Sequence, residues 1–176
     1  MAVSIPNKMA GMEIGASVFA PVSPEDFYRA VLDVRGFPAW APGVRRVEVL
    51  SGEGGAGMLS EWEISVLGIR TSILSTLEDA STLSVLRWTY SGPVSGRGEC
   101  SVERFGDGAL AEFRTALTPT DPFLARLARA RTIADTAGTH LKRSLLRLGR
   151  LVAGDEARVL VGPVTTTRPT LRKPEG

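Results

Sequence analysis

The stretch FAPVSPEDFYRAVLDVRGFPAWAPGV, residues 19–44, carries the strongest local signals in the sequence. Ser23 offers a side-chain oxygen as a helix N-cap, a proline follows at the first helical position, and Asp26 supplies an acid three residues after the cap. These signals predict that a helix begins there. Gly36 and Pro38 interrupt its apolar spacing, so we expect one short helix followed by a second short turn.

Alternation of apolar and polar residues on both sides of this stretch has the period of a β-strand. A first strand is predicted at 12–19. Beyond residue 44, clusters of Gly, Asp, Ser and Pro separate short apolar runs, and connections this short cannot carry parallel crossovers. We therefore expect an antiparallel meander of about seven strands. The last six are predicted at 44–50, 58–66, 69–77, 85–90, 98–105 and 110–117.

A long helix is predicted to follow the sheet. Asp121 and Pro122 form a second cap-and-proline pair, and apolar residues then recur at helical spacing as far as Val152. Such a helix has about 30 residues and a length of roughly 45 Å. After Gly154 the composition changes to Thr, Pro, Arg and Val, which indicates a flexible tail. The predicted organisation is an N-terminal extension at 1–11, one folded domain at 12–153 and a C-terminal tail at 154–176.

Composition indicates one globular domain. The chain has 176 residues, of which 43% are hydrophobic and 23% charged, as in proteins that fold in water. Its net charge of +2 is near balance, so nucleic acid is not an expected partner. Cys100 is the only cysteine, which excludes a disulfide framework and multi-cysteine metal sites, and we expect no cofactor. A cytoplasmic location is expected, because no segment has the pattern of a transmembrane helix or signal peptide.

Two motifs in the opening stretch resemble a known family. FAPVSPEDFY at 19–28 is similar to a strand that ends at Ala-Pro and leads into the first helix. DVRGFPAWAPGV at 33–44 is similar to the more specific aromatic-Pro-x-Trp turn that precedes the second strand. With the order of elements, these motifs resemble the START-like superfamily, in its polyketide cyclase/dehydrase and coenzyme Q carrier branch, over residues 12–152. The resemblance implies an α+β helix-grip fold, in which a curved antiparallel sheet wraps the long helix and leaves a cavity for an apolar molecule.

The residue pattern is consistent with such a cavity. The middle of the long helix is rich in small residues, whereas the inward register of the strands carries large aromatic side chains. Small residues opposite a concave sheet leave space, although aromatic side chains that cross the gap would give a tightly packed core instead. The predicted ligand-binding residues are Trp62, Ile64, Thr71, Ile73, Trp88, Tyr90, Cys100, Phe113, Ala130, Ala134 and Ala137.

No motif identifies a catalytic site. Tyr90 and Thr71 are inward hydroxyls that can orient a ligand oxygen. Arg104 continues the inward register of its strand, although a strand end more often faces solvent. The only histidine, His140, is expected on the solvated flank of the long helix, and a buried Cys100 thiol would behave as a small hydrophobic group. Whether the chain is an enzyme stays open at this point.

Three functions fit these expectations. The leading one is binding of an apolar small molecule, such as a lipid, an isoprenoid quinone or a polyketide-like aromatic. An alternative is a polyketide aromatase/cyclase-type enzyme, in which confinement promotes ring closure and Tyr90 and Arg104 are the weak catalytic candidates. A further alternative is an interaction module that uses a basic helix end. The residues concerned are Lys142, Arg143, Arg147 and Arg150, for which a solvated helix face is the simpler interpretation.

Overall fold

The computed structural model describes residues 11–66, 68–128 and 131–167, and it describes their side chains except at 66, 127, 128, 131–135 and 167. As far as Ala153, the helices and strands follow one another in the order that the sequence predicts. Their bounds are β1 (Met12–Ala20), α1 (Pro24–Leu32), a 3₁₀ turn (Val34–Gly36), α2 (Phe37–Trp40), β2 (Val44–Ser51), β3 (Leu59–Val66), β4 (Ile69–Asp79), β5 (Val85–Ser91), β6 (Val94–Phe105), β7 (Gly108–Pro119), α3 (Pro122–Ala128), α4 (Arg131–Ala153), β8 (Leu160–Val161) and β9 (Thr165–Thr167).

The strands form one curved antiparallel sheet in the order β2-β3-β4-β5-β6-β7-β1-β8, and β9 also pairs with β1. From β2 to β7 the neighbours are consecutive in sequence, which is the arrangement that short connections impose. β1 closes the meander beside β7, from Met12 opposite Leu117 to Ala20 opposite Ala109. The predicted α+β helix-grip fold is confirmed, and the described residues form nine strands where about seven were predicted.

The predicted start of α1 is confirmed by its cap. The backbone N–H of Asp26 donates to Ser23 Oγ at 3.1 Å, and Pro24 occupies the first turn. Phe27 and Tyr28 on the inner face of α1 are fully buried, and the Tyr28 hydroxyl donates to the carbonyl of Ala80 at 3.0 Å. These contacts hold α1 over one end of the sheet.

The predicted long helix corresponds to α3 and α4, and residues 129 and 130 between them lie outside the described residues. Asp121 Oδ1 accepts the backbone N–H groups of Phe123 and Leu124 at 2.9 and 3.0 Å, so the predicted cap is present. α4 ends at Ala153, and Gly154 follows with a φ of 101°, a conformation that favours glycine. None of the described helices is long and apolar enough to cross a membrane.

Residues 154–167, part of the predicted flexible tail, pack onto β1 and α4. β8 pairs with Val18 and Phe19, while β9 pairs with residues 13–15. Val159 lies against Gly149 of α4, where an added Cβ would be only 2.4 Å from Val159 Cγ1. This part of the tail therefore belongs to the folded unit and covers the outer edge of β1.

Candidate functional site

A cavity of about 560 Å³ lies between the concave face of the sheet and helix α4. This volume is within the range of sites that bind small organic molecules. Helices α2 and α3 close other sides, and most lining groups are apolar. The described lining residues are Gly11, Met12, Ile14, Phe37, Trp40, Ala41, Gly43, Val44, Trp62, Ile64, Ser65, Ile73, Trp88, Tyr90, Val94, Phe113, Arg114, Thr115, Leu117, Pro119, Leu124, Ala125, Thr136, Ala137, His140, Leu141, Ser144 and Leu145.

Three aromatic rings form one wall. The ring centroid of Phe37 lies 4.2 Å from that of Trp40 and 4.6 Å from that of Trp62, the latter in an edge-to-face arrangement. Trp62 Nε1 donates to Ser60 Oγ at 2.8 Å, so its N–H is satisfied within the protein. Helix α2 and strand β3 thus form a wall of the cavity together, and this wall presents an aromatic surface to a ligand.

Glycine on β6 makes room for the indole of Trp88. Trp88 pairs with Gly98, and Gly98 pairs in turn with Thr115 on β7. A Cβ at Gly98 would lie 2.3 Å from Trp88 Cε2, which is inside van der Waals contact. Trp88 can therefore extend across β6 only because position 98 has no side chain. The resulting floor of the cavity is aromatic.

A small polar cluster lies within this floor. Trp88 Nε1 donates to the hydroxyl oxygen of Tyr90, and Thr115 lies beside them in the lining, where its hydroxyl donates to the backbone carbonyl of Arg97 at 3.4 Å. Burial raises the pKa of the Tyr90 phenol, and this effect outweighs the opposite effect of its polar neighbours Trp88 and Thr115. Tyr90 is therefore a neutral hydroxyl at physiological pH, able to donate its proton and not suited to act as a phenolate base.

On the opposite side, α4 brings small and polar residues to the cavity. Ala137 and Leu141 lie one turn apart in the lining, and Ser144 Oγ donates to the backbone carbonyl of His140 at 2.8 Å. His140 itself is exposed although it lines the cavity, so the cavity reaches solvent at this residue.

Two further residues define this opening. His140 Nδ1 is 4.0 Å from the position that a Cβ would take at Gly43, and the Gly43 carbonyl accepts the backbone N–H of Ser65 at 2.8 Å. We call Gly43, Ser65 and His140 the cavity rim. The rim joins α4 to the start of β2 and the end of β3.

Most of the predicted ligand-binding residues lie around this one cavity. The lining includes Trp62, Ile64, Ile73, Trp88, Tyr90, Phe113 and Ala137. Ala134 lies in α4 at a position whose side chain is not described, and Ala130 lies outside the described residues. Thr71 pairs with Ile64 but is not among the described lining residues.

Cys100 and Arg104 lie away from the cavity. Cys100 is fully buried in the core, and desolvation raises the pKa of its thiol, so it packs as a small apolar group. Arg104 is exposed near the end of β6, opposite Ala109. Arg104 keeps the inward register of its strand, but its side chain is exposed and does not line the cavity, so Tyr90 and Arg104 do not face one another across it.

Sequence reasoning missed the lining role of His140. It lies three residues after Ala137, so helical spacing alone places both on neighbouring parts of one face. Trp40, the tryptophan of the aromatic-Pro-x-Trp turn, both packs against Phe37 and lines the cavity. Within the described part of the chain, no group of three or more His, Cys, Asp or Glu side chains could hold a metal ion.

The family of the chain follows from a sequence comparison. Residues 12–153 match the model of the family described as polyketide cyclase / dehydrase and lipid transport. The chain therefore belongs to this START-like family. No curated protein matches the sequence significantly.

Solved structures share the fold at low sequence identity. A protein from Thermus thermophilus superposes with a TM-score of 0.67 at 22% identity, covering 82% of this chain and 99% of its own. The Zhui aromatase/cyclase from a Streptomyces species gives 0.65 at 15% identity, with 84% and 99% covered. A START superfamily protein from Mycobacterium smegmatis gives 0.64 at 15%, with 80% and 99% covered. At these identities the comparison shows the fold alone.

Proposed function

We propose that this chain binds an apolar small molecule in the cavity between the sheet and α4. The observation that carries the proposal is a volume of about 560 Å³ whose walls are aromatic and aliphatic. The indole N–H groups of Trp62 and Trp88 already have partners in the protein, so their rings offer a ligand apolar surface only. Transfer of an apolar molecule from water to such a surface is favourable by roughly 25 cal/mol per Å² of buried apolar area.

The polar groups of the floor favour a ligand with a neutral oxygen acceptor. The Tyr90 oxygen accepts from Trp88, so the Tyr90 proton can be donated to a ligand. Arg114 also lines the cavity, but its guanidinium is exposed and lies 2.6 Å from Glu112. No cation is therefore directed at Tyr90 from the described lining, and a ketone, quinone or phenol fits this end better than a carboxylate. This chemistry includes isoprenoid quinones and polyketide-like aromatics.

Thermal unfolding with a panel of probes tests the proposal. The panel comprises a short-chain ubiquinone, a flavone and oleic acid, each at saturating concentration. A ligand present at 100 times its Kd stabilises the native state by about 2.7 kcal/mol, which raises Tm measurably. We expect the quinone or the flavone to raise Tm. If none of the probes changes Tm, the proposal of an apolar binding cavity fails.

A matched pair of variants assigns any such shift to the cavity. Ala137→Phe places a ring in the lining, whereas Lys142→Phe adds the same ring to an exposed position of the same helix. Overpacking at Ala137 is expected to cost about 1 to 3 kcal/mol of stability, so binding is compared at temperatures where both variants are folded. The ligand-induced shift should disappear in Ala137→Phe and persist in Lys142→Phe. Equal shifts in both variants would place binding elsewhere.

A cyclase-type activity is the second candidate, because Tyr90 and His140 both line the cavity and both can transfer protons. A cavity that confines a poly-β-ketone chain would bring its reacting carbons together. The test is incubation with a poly-β-ketone analogue and chromatographic detection of an aromatic product. Product that depends on Tyr90 and His140 would support turnover. Binding of the analogue without formation of product would support the binding function and argue against turnover.

A further inference from the structure

Helix α4 carries a one-sided positive charge on its solvent face. From Thr136 to Ala153 the sequence contains no carboxylate, yet Lys142, Arg143 and Arg147 are exposed, as is Arg150. The chain as a whole has a net charge of only +2, so this helix concentrates positive charge that is balanced elsewhere. We call Arg143, Arg147 and Arg150, with Lys142 beside them, the basic stripe.

The stripe differs from the charge pairs on the outer face of the sheet. On the outer face of the sheet, Arg87 lies 3.2 Å from Asp79 and 2.7 Å from Glu99, and Arg114 is paired with Glu112. In contrast, no cation of the basic stripe forms an ion pair or hydrogen bond with another described residue. The stripe is therefore available to an external anionic partner.

Helical geometry aligns the stripe. Arg143, Arg147 and Arg150 have the spacing i, i+4 and i+7, which places them on one side of α4 over about 10 Å of axis. Leu151 follows Arg147 by four residues and is 59% exposed. The exposed leucine adds a small apolar surface beside these cations, which a bilayer interface can bury.

The same side of α4 reaches the cavity opening. His140 of the cavity rim precedes Arg143 by three residues and Arg147 by seven, so helical spacing places it beside the start of the stripe. A flat anionic surface that contacts the stripe would therefore lie next to the rim. This geometry suits exchange of an apolar ligand between the bilayer and the cavity, because the ligand crosses only a short distance through water.

We propose that the basic stripe docks the protein onto an anionic lipid bilayer with the cavity rim facing the bilayer. The functional part of this inference, exchange of a ligand with the membrane, rests on the proposed binding function. A single-stranded nucleic acid is the less suitable partner, because α4 has no Phe, Tyr or Trp between Thr136 and Ala153 on which bases can stack. The positive charge of the basic stripe is complementary to the negative phospholipid head groups of a flat bilayer surface.

Vesicle co-sedimentation tests the docking step. Vesicles of phosphatidylcholine with about one third phosphatidylglycerol provide the anionic surface, and pure phosphatidylcholine is the neutral reference. Each Lys or Arg near an anionic surface strengthens binding by about five-fold, so Arg143→Gln, Arg147→Gln and Arg150→Gln together should weaken it on the order of 100-fold. Binding should also weaken steeply as salt increases, because salt screens the attraction.

The matched control removes the same charge elsewhere. Arg97 and Arg104, both on β6, are exposed and, like the stripe, have no ion pair with a described residue. Their double change to Gln should weaken vesicle binding by less than about five-fold, whereas the double change of Arg147 and Arg150 to Gln should weaken it by roughly 25-fold, because only the second pair lies on the docking face. Equal losses in the two double variants would overturn the proposal. Failure of the unaltered protein to bind anionic vesicles, or binding to an RNA oligomer in preference to them, would overturn it as well.

A second readout separates this proposal from the cavity proposal. The Arg143/Arg147/Arg150 variant should retain ligand-induced thermal stabilisation in solution, whereas Ala137→Phe should lose that stabilisation but still bind vesicles. Loss of vesicle binding in Ala137→Phe would contradict docking through the stripe, and loss of ligand binding in the stripe variant would show that these cations belong to the ligand site.

Discussion

The two ends of the described part of α4 perform different tasks with the same helix. Towards its C-terminus, Leu148 is fully buried, and the chain that follows α4 packs on its other side through Val159. Closer to its N-terminus, Ala137 and Leu141 border an open volume of about 560 Å³. The difference shows that one end of α4 anchors the helix in the core, while the other end forms a wall of the cavity.

Truncation of leucine at each end gives the largest expected contrast. Leu148→Ala should lower the free energy of unfolding by about 2 to 5 kcal/mol, because the lost side chain leaves a void in a close-packed core. Leu141→Ala should lower it by only about 1 kcal/mol, because one side of Leu141 already borders the cavity and makes fewer contacts. Urea denaturation of both variants measures the difference. Equal losses would mean that the two ends are packed alike.

Substitution of glycine on the anchored end tests the contact with the tail. Gly149→Ala would bring a Cβ within 2.4 Å of Val159 Cγ1, and this overpacking costs about 1 to 3 kcal/mol, which exceeds the gain of about 1 kcal/mol in helix propensity.

Gly138→Ala is the matched control, since its Cβ would lie 3.2 Å from Val164 Cγ1 and requires a smaller shift. Thermal unfolding should show a lower Tm for Gly149→Ala than for Gly138→Ala. A Tm for Gly149→Ala above that of the unaltered protein would show that residues 154–167 do not press on the helix in solution.

Removal of one hydroxyl from the cavity floor should have the smallest effect. Tyr90→Phe keeps the ring but deletes the hydrogen-bond donor, so affinity for a quinone should fall by about 0.5 to 1.5 kcal/mol. Affinity for a hydrocarbon of similar size should fall less, because the hydrocarbon loses no hydrogen bond and only the Trp88 N–H is left without its acceptor. The difference between the two ligands separates a polar ligand contact from simple packing. Calorimetric titration of both ligands measures the two effects. An equal loss for quinone and hydrocarbon would remove Tyr90 from any specific polar contact.

Much of this fold could be predicted because its signals are local. Ser23 and Asp121 cap helices within a few residues of their own positions, and the two-residue alternation places Trp88 and Tyr90 on one strand face. The pairing of β8 and β9 with β1 could not be predicted in the same way. Each of these strands has only two or three residues, and their partners are more than a hundred residues away in sequence.

The strand residues of the site could be predicted, because the two-residue alternation of a strand determines which side chains face the cavity. Trp62, Ile73 and Phe113 reach the cavity because inward register and burial coincide along the middle of their strands. The alternation gives the wrong prediction at the end of a strand, where Arg104 has the inward register but its side chain is exposed to solvent. It is also silent about His140, whose lining role depends on how α4 packs beside Gly43.

Intrinsic fluorescence gives the most direct test of the cavity, because all three tryptophans of the chain, Trp40, Trp62 and Trp88, line it. Titration with a neutral brominated alkane should quench this fluorescence in a saturable manner with one molecule bound per chain. Quenching should be lost in Ala137→Phe and retained in Lys142→Phe. A linear, unsaturable response in the unaltered protein, or quenching that Ala137→Phe leaves unchanged, would contradict an apolar ligand site in this cavity.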